Sequence, residues 1–314
     1  MALNSSNFRG LVMRATGSWY DVLHDDGTVY KCRIRGRLRL KGARSTSPVV
    51  VGDWVECEAE EGSEDSFVIC GVEARRNYII RRASNLSKES HIIGANIDRA
   101  MLVATLFSPE TATEFIDRFL VTCEAYKVPA TILLAKIDLA RERPELVEEF
   151  KATYEGAGYE VVEISAKNGE GLDRVRELLK DKTTLISGNS GVGKSTLIRA
   201  MEPTLEIKTG EISASHNKGK HTTTFSTIYP LSGGGYIIDT PGIKGFGLLD
   251  IDDAELWHYY PEMMRHSEEC QFYNCTHTHE PKCAVRNAVE SGEIAYSRYE
   301  SYLKILDEDD KYRK

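Results

Sequence analysis

The feature that most restricts the fold of this chain is the run Gly188 to Ser195, which has the sequence GNSGVGKS. It follows the β-branched segment TTLIS and opens the helix-favouring segment TLIRAM. Glycines at this spacing let backbone N–H groups surround a phosphate at a helix N-terminus, which is the arrangement of a P-loop. Lys194 is expected to reach the β- and γ-phosphates of a nucleotide, and Ser195 to ligate Mg²⁺. The predicted phosphate-binding residues here are Gly188, Asn189, Ser190, Gly191, Val192, Gly193, Lys194, Ser195 and Thr196.

A second nucleotide motif follows the P-loop. The strand-like segment YIIDTPG supplies Asp239 and Gly242 in a DxxG pattern. We expect the carboxylate to lie near Mg²⁺ and the glycine amide to sense the γ-phosphate. Between the two motifs lies the polar loop GKHTTT, where Thr223 or Thr224 is predicted to complete the Mg²⁺ shell, with ordinary loop capping as the alternative for each.

Two motifs typical of guanine recognition precede the P-loop. Ala135-Lys136-Ile137-Asp138 ends the segment ATILL, and Ser165-Ala166-Lys167 follows YEVVEI. Asp138 can accept hydrogen bonds from N1 and N2 of guanine, a pairing that adenine does not offer, while Lys136 lies along the base. The first position is normally Asn or Thr, so Ala135 loses a hydrogen bond worth roughly 0.5–1.5 kcal/mol. We therefore expect retained guanine specificity with weakened affinity.

Strand-like and helix-like segments alternate around these motifs. The predicted strands are RAMLVATL, ATILLAKI, YEVVEIS, TTLISG and YIIDT, and the predicted amphipathic helices are TEFIDRFLVTCEAYK and PELVEEFKATYEGAG. This alternation predicts a parallel sheet covered by helices on both faces.

The N-terminal part is basic and predicts a small β-barrel, with an OB-fold favoured, because short β-rich runs are separated by turn residues. Residues 1–50 hold nine Lys/Arg and three Asp/Glu, or 9 − 3 = +6, which leaves −8 − 6 = −14 for the remainder. Six cations alternate with smaller or apolar residues, so a strand would place them on one face. A polyanion such as RNA is the favoured partner of this face, and a merely solvated face is the alternative. These cations are Lys31, Arg33, Arg35, Arg37, Arg39 and Lys41.

Three cysteines and a histidine cluster near the C-terminus. Cys270, Cys275, His277 and Cys283 supply three thiolates and an imidazole, which predicts one structural, tetrahedral Zn²⁺ per chain. Free cysteines are the alternative. The other cysteines, Cys32, Cys57, Cys70 and Cys123, are expected to be small buried thiols. Helical composition extends over 284–306, and the tail DEDDKYRK is expected to be solvated and is a candidate for disorder.

The order of the motifs resembles the RsgA (YjeQ) family of circularly permuted GTPases that depend on the small ribosomal subunit. The segments that carry the resemblance are GNSGVGKSTL, GKHTTT, DTPGIKGFG and CQFYNCTHTHEPKCAV. It implies an OB-fold domain over 1–80, a permuted GTPase domain over 81–247 and a zinc-binding domain over 248–314. It also implies GTP hydrolysis stimulated by the small subunit during late maturation, and it favours His277 over His279 as ligand through the family's HxxEP spacing.

The catalytic group is less evident. Ile243 follows Gly242, where many GTPases place a water-orienting Gln, so another group must orient the attacking water. His221 is the candidate, because an imidazole can do so near neutral pH. A solvent-facing loop histidine with no such role is the alternative. Hydrolysis without a partner is expected to be slow.

The leading hypothesis is a monomeric cytoplasmic GTPase that engages the small ribosomal subunit and 16S rRNA and cycles between GTP and GDP. An RNA-binding module that binds GTP with little hydrolysis is the alternative, and a small-molecule P-loop kinase is disfavoured. A membrane location is not expected, because no apolar run approaches the roughly 20 residues that a spanning helix needs.

Overall fold

The computed structural model describes residues 7–35, 48–60, 66–82, 90–203, 226–239 and 251–312. Its N-terminal part is a five-stranded barrel, as predicted. Strand β1 pairs with both β2 and β4, and β3 runs parallel to β5, so the ring closes in the order β1-β2-β3-β5-β4. The strands are β1 (Phe8–Thr16), β2 (Trp19–His24), β3 (Val29–Ile34), β4 (Trp54–Ala59) and β5 (Phe67–Val72).

The barrel interior is filled by the alternate side chains of its strands. Val12, Val22, Cys32, Val55 and Ile69 are fully buried there. Because successive side chains of a strand point to opposite faces, the residues between them lie on the outer face. On β1 the outer residues Leu11 and Met13 are buried against the core under α1, whereas β3 presents exposed cations on this face.

The central part is a sheet flanked by helices on both faces. Strands β10-β9-β8-β11-β13 run parallel in that spatial order, and β12 is antiparallel to β13. The strands are β8 (Arg99–Ala104), β9 (Ala130–Ala135), β10 (Glu160–Ile164), β11 (Thr183–Ser187), β12 (Thr227–Pro230) and β13 (Tyr236–Asp239). The helices are α1 (Thr113–Ala125), α2 (Pro144–Ala157), α3 (Leu172–Leu179) and α4 (Lys194–Met201).

The spatial order of the strands differs from their order in the chain. Strand β8 comes first in this sheet, yet it lies between β9 and β11. The strands that end in the two base-recognition motifs, β9 and β10, therefore stand on the same side of the P-loop strand β11. Parallel strands bring their carboxyl ends to one rim, where the loops that follow them meet.

Two elements are not predicted by the sequence pattern. A hairpin of β6 (Tyr78–Arg82) and β7 (Ser90–Ala95) lies between the barrel and the sheet. The short strand β12 joins the two sheets, because Thr227 pairs with Arg14 of β1 as well as with Asp239 of β13. Both were missed because they are short and lack a long alternating pattern.

The C-terminal part is mainly helical and contains α5 (Pro261–Ser267), α6 (Ala284–Ser291) and α7 (Tyr296–Tyr312) after a 3-10 segment, Asp253–Tyr259. The helical composition predicted over 284–306 corresponds to two helices, because Gly292 adopts a left-handed conformation (φ 80°) that ends α6. The acidic tail continues α7 as far as Tyr312 instead of being disordered.

A buried ion cluster fastens α7 to the rest of the molecule. The Arg298 guanidinium donates to Asp117 Oδ1 of α1 at 2.5 Å and to Glu262 Oε1 of α5 at 2.7 Å. All three side chains are almost completely buried, and the Tyr260 ring lies 4.6 Å from the guanidinium carbon. None of the helices in the described ranges combines the length and the apolar character that crossing a bilayer requires.

Candidate functional site

The predicted P-loop leaves β11 and enters α4 with a backbone that only glycine adopts easily. Gly188 has a φ of +146°, and a β-carbon there would lie 2.5 Å from the carbonyl oxygen of Val103 in β8. Gly193 has a φ of +108°, and a β-carbon there would meet no atom within 4 Å. The first glycine is therefore required by close packing on β8. The second leaves open space at the start of α4, where a phosphate could approach backbone N–H groups.

Lys194, the first residue of α4, points back into this loop. Its ammonium donates to the carbonyl oxygen of Asn189 at 2.9 Å and also to that of Gly188. Only 5% of the residue is exposed. Burial lowers the pKa of Lys194, and the negative charge of Asp239 acts against that shift. The hydrogen-bond partners of this buried cation within the described residues are thus neutral oxygens, which an incoming phosphate could replace.

Asp239 ends β13, beside the P-loop strand, where it is opposite Ile186 of β11. Burial raises the pKa of its carboxyl, and Lys194 opposes the shift. Its Oδ1 atom has no hydrogen-bond partner within the described ranges. A buried carboxylate oxygen without a partner fits a site for a hard cation such as Mg²⁺.

A pocket of about 320 Å³ opens beside the P-loop at the carboxyl ends of β8, β9 and β10. It brings together residues of the P-loop, both base-recognition motifs and α4, although these motifs are up to 61 residues apart (196 − 135). Its lining residues are Val103, Ala135, Lys136, Asp138, Leu139, Ile164, Ala166, Lys167, Val192, Gly193, Thr196 and Leu197.

The two base-recognition motifs contact each other directly. The Ser165 hydroxyl donates to Asp138 Oδ1 at 2.7 Å, which orients the carboxylate. Lys136 has a left-handed backbone (φ 59°, ψ 36°), and its ammonium donates to the Gly191 carbonyl at 2.7 Å. Ala135 offers the pocket only a methyl group. Ile137 packs against the core on α1 and α2 and is not among the lining residues.

Several predicted site residues lie outside the described ranges. They are Arg37, Arg39, Lys41, His221, Thr223, Thr224 and Gly242. The residues that sequence reasoning missed in the pocket are apolar: Val103 and Ile164 from strand ends, Leu139 from the turn after β9, and Leu197 from α4. Leu139, half exposed at the pocket mouth, follows the AKID motif directly, and its position beside that motif was the available signal.

The predicted metal ligands form a compact cluster. One donor atom each from Cys270, Cys275, His277 and Cys283 lie within 4.8 Å of one another. His277 Nδ1 is 3.4 Å from Cys283 Sγ and 3.7 Å from Cys270 Sγ, while His279 is exposed. Tetrahedral zinc with ordinary bond lengths requires such separations of about 3.5–3.8 Å. The cluster could hold a metal ion, and its donor set fits zinc.

Hydrogen bonds hold the loop around this cluster. The Glu280 carboxylate accepts backbone N–H groups of Thr276, Thr278 and His279 at 2.7–3.2 Å. Although partial burial alone would raise the pKa of Glu280, hydrogen bonds, first of all from Thr276, lower it to about 2. The Tyr299 hydroxyl donates to the His277 carbonyl at 2.6 Å, so α7 also supports the ligand loop.

The described part of the basic strand keeps its predicted alternation. Lys31, Arg33 and Arg35 are exposed, and Cys32 between them is buried in the barrel. The Arg33 guanidinium stacks on the Trp19 ring at 3.9 Å, and Arg35 forms an ion pair with Glu58. This outer wall therefore offers cations beside an exposed aromatic ring, a combination that suits single-stranded nucleic acid.

Comparison with known proteins assigns both the barrel and the sheet. The RsgA GTPase family matches residues 72–249, and the RsgA N-terminal domain matches residues 9–66. The small ribosomal subunit biogenesis GTPase RsgA of Bacteroides fragilis is 55% identical over 309 residues, covering 97% of this chain and 99% of that protein. The protein of the same name from Christiangramia forsetii is 51% identical over 308 residues, covering 97% and 98%.

Solved structures agree with the architecture. YjeQ from Thermotoga maritima aligns with a TM-score of 0.77 at 35% identity and covers 96% of this chain and 98% of that chain. YloQ, described as a circularly permuted GTPase, aligns with a TM-score of 0.74 at 29% identity and covers 98% and 96%. The permuted strand order of the central sheet is thus shared with a solved GTPase.

Proposed function

Since this chain belongs to the RsgA GTPase family, we propose that it hydrolyses GTP to GDP and phosphate while bound to the small ribosomal subunit during late maturation. The observation that carries the proposal is the pocket in which Asp138, Lys136 and the P-loop meet beside the buried Lys194. The proposed units are an OB-fold domain over 1–80, a GTPase domain over 81–247 and a zinc-binding domain over 248–314. The barrel interior and the sheet face under α3 and α4 each have a separate apolar cluster, which supports this division, while another cluster joins Leu11 and Met13 of β1 to the core under α1.

In the proposed complex, guanine occupies the pocket. Asp138 accepts from N1 and N2 of the base, and Ser165 keeps its carboxylate in the required orientation. Lys136 lies along the base, and the backbone of Ala166 and Lys167 meets the exocyclic oxygen. Adenine would leave the half-buried Asp138 carboxylate without the two donors that guanine offers, and the cost of that mismatch is the source of specificity.

The phosphates occupy the P-loop in this proposal. Backbone N–H groups from Gly188 to Thr196 surround them, and Lys194 exchanges its carbonyl partners for β- and γ-phosphate oxygens. Ser195 and Asp239, with Thr223 or Thr224, would hold Mg²⁺, which neutralises charge on the phosphates. Gly242 would sense the γ-phosphate. His221 is the proposed group that orients the attacking water, because Ile243 has no polar atom for that task.

The two flanking units are proposed to recognise the ribosome. The exposed side chains of Lys31, Arg33 and Arg35, together with Arg37, Arg39 and Lys41, would contact phosphates of 16S rRNA. One zinc ion held by Cys270, Cys275, His277 and Cys283 would fix the C-terminal loop, since all four positions are filled by protein and no site for substrate is left on it. We propose that the protein acts as a monomer.

GTP turnover by the purified protein tests the proposal, measured alone, with small ribosomal subunits and with large ones. We expect slow hydrolysis alone and strong stimulation by small subunits only. A His221→Ala variant should lose the stimulated rate and keep its nucleotide affinity. Binding without stimulated hydrolysis would instead favour a GTP-gated RNA-binding module.

A further inference from the structure

The loop between β8 and α1, residues 105–112, touches the predicted nucleotide site without belonging to any of its motifs. The Lys136 ammonium donates to the Ser108 carbonyl at 2.5 Å as well as to the Gly191 carbonyl at 2.7 Å. One cation thus joins three segments: the AKID motif, the P-loop and the 105–112 loop.

A second contact joins this loop to the P-loop. A β-carbon on Gly191 would lie 3.4 Å from Pro109 Cδ, so the proline ring packs directly against the P-loop backbone. The 105–112 loop therefore supports the P-loop at the residue whose carbonyl Lys136 also uses.

Two buried threonines give this loop its shape. Thr105 N–H donates to Thr111 Oγ1 at 3.0 Å, and Thr111 N–H donates back to the Thr105 carbonyl at 2.8 Å. The Thr105 hydroxyl also donates to the Pro109 carbonyl. Thr105 is 2% exposed and Thr111 is 7% exposed, so water does not compete with these bonds. The loop is closed at its base by side chains, not by a helix or a strand.

The support that the 105–112 loop gives to Lys136 matters more because position 135 is an alanine. A methyl group at that position makes no hydrogen bond to the base or to the P-loop, so the side-chain link between this motif and the P-loop runs through Lys136. Holding Lys136 and the P-loop in place before the ligand arrives reduces the ordering cost of binding.

We propose that Thr105 and Thr111 are positioning residues for guanine nucleotide binding: they hold the Ser108–Pro109 turn so that Lys136 and the P-loop are fixed in their binding geometry. The inference rests on the proposed function, because it takes the ligand of the pocket to be GDP or GTP. The threonines touch neither the base nor the phosphates and act through Lys136.

Titration of the full chain with GDP tests this role. Thr111→Val keeps the shape of the side chain and removes the acceptor, and we expect about tenfold weaker GDP binding. Thr111→Ser restores the acceptor and should bind like the wild type. The matched control is Thr122→Val, because Thr122 is also a buried threonine and its hydroxyl bonds to the Arg118 carbonyl within α1, not to the 105–112 loop. It should leave GDP affinity unchanged.

A double-mutant cycle separates positioning from general weakening of the fold. In a Lys136→Met background, Thr111→Val should cost clearly less affinity than in the wild type, since the cation that the loop positions is gone and only the Pro109 contact with the P-loop remains. Additive losses, or a folded Thr111→Val protein with wild-type affinity, would overturn the inference. If wild-type protein bound no guanine nucleotide, the proposed function itself would fail first.

A further variant applies if Thr111→Val does not fold. Lys136→Arg keeps the charge at a half-buried position, but a planar guanidinium does not place one nitrogen between the two carbonyls. We expect its GDP affinity to fall as far as that of Lys136→Met. Wild-type affinity in Lys136→Arg would show that a positive charge at position 136 suffices. It would reject the proposal that the Ser108–Pro109 turn positions Lys136.

Discussion

Two buried cations, Lys194 at the nucleotide pocket and Arg298 at the junction of α1, α5 and α7, differ in what surrounds them. Arg298 donates to two carboxylates, those of Asp117 and Glu262, at 2.5 and 2.7 Å. Lys194 donates to two peptide carbonyls of the P-loop. Both side chains are almost fully buried, so burial does not distinguish them.

The two sites differ in whether the negative charge comes from the protein or from a ligand. The anions around Arg298 belong to the protein, and the cluster is complete when the chain has folded. Lys194 holds neutral oxygens that a phosphate can displace, and its charge becomes fully paired only when a ligand binds. A buried cation therefore indicates a ligand site when its partners are neutral, and a structural junction when they are carboxylates.

The largest effect should come from removing Arg298. Arg298→Met leaves two buried carboxylates without their cation, and we expect the free energy of unfolding to fall by roughly 3–5 kcal/mol. Urea unfolding measures it. The triple variant Arg298→Met, Asp117→Asn, Glu262→Gln is the control and should recover much of the loss, because no unpaired charge remains. Equal stabilities of the single and triple variants would contradict this account.

Removing Lys194 should weaken ligand binding without lowering the stability of the nucleotide-free protein. In Lys194→Met, GDP affinity should fall by about 3 kcal/mol, roughly a hundredfold, because the phosphates lose a buried charge partner. The free energy of unfolding without nucleotide should equal or exceed that of the wild type. A clear loss of stability in the nucleotide-free protein would place Lys194 in the same class as Arg298.

Restoring a polar group at position 135 should strengthen the ligand site alone. Ala135→Asn adds a hydrogen-bonding side chain to the pocket wall, and GDP affinity should rise by about 1 kcal/mol. Calorimetric titration measures it, with Ala135→Leu as a control that adds bulk without hydrogen bonds. Stronger binding by the leucine variant would show that pocket volume, not hydrogen bonding, limits affinity.

The smallest effect is a pH dependence. Burial lowers the pKa of Lys194, and Asp239 opposes the shift, so the charged form is disfavoured in the folded protein. A lowered lysine pKa contributes stability that is present above the unfolded pKa, near 10.4, and is lost as pH falls through the folded pKa. The stability advantage of nucleotide-free Lys194→Met over wild type should therefore shrink between neutral pH and about pH 10. An advantage that grows with pH would contradict the burial of a protonated lysine.

The nucleotide site could be predicted from the sequence because its chemistry is carried by short motifs with fixed spacing. Gly188, Lys194 and Asp138 each belong to such a motif. The metal cluster follows from the spacing of cysteine and histidine, with the family's HxxEP pattern favouring His277 over His279. These patterns are local in the sequence, so they can be recognised without knowledge of the fold.

The Arg298 cluster could not be found in that way. Its members lie 181 and 36 residues apart, and each resembles an ordinary charge on an amphipathic helix. Thr105 and Thr111 were missed for a related reason, because a loop threonine bonded to a nearby backbone is common and carries no spacing signal. The role of the Arg298 cluster becomes evident only from its packing against α1, and the role of the two threonines only from the contact of their loop with the P-loop.

The pairing of β12 with β1 also affects how this protein could be divided. A short strand with a free side is a template for pairing with other chains, and β12 is covered there by the barrel. At the opposite margin, β10 carries Glu160 and Glu163 in ion pairs with Arg174 and Lys151, charges that discourage such pairing. A fragment lacking the first 80 residues would expose the edge of β12 and should self-associate through it. The barrel therefore also protects the central sheet from pairing with another chain.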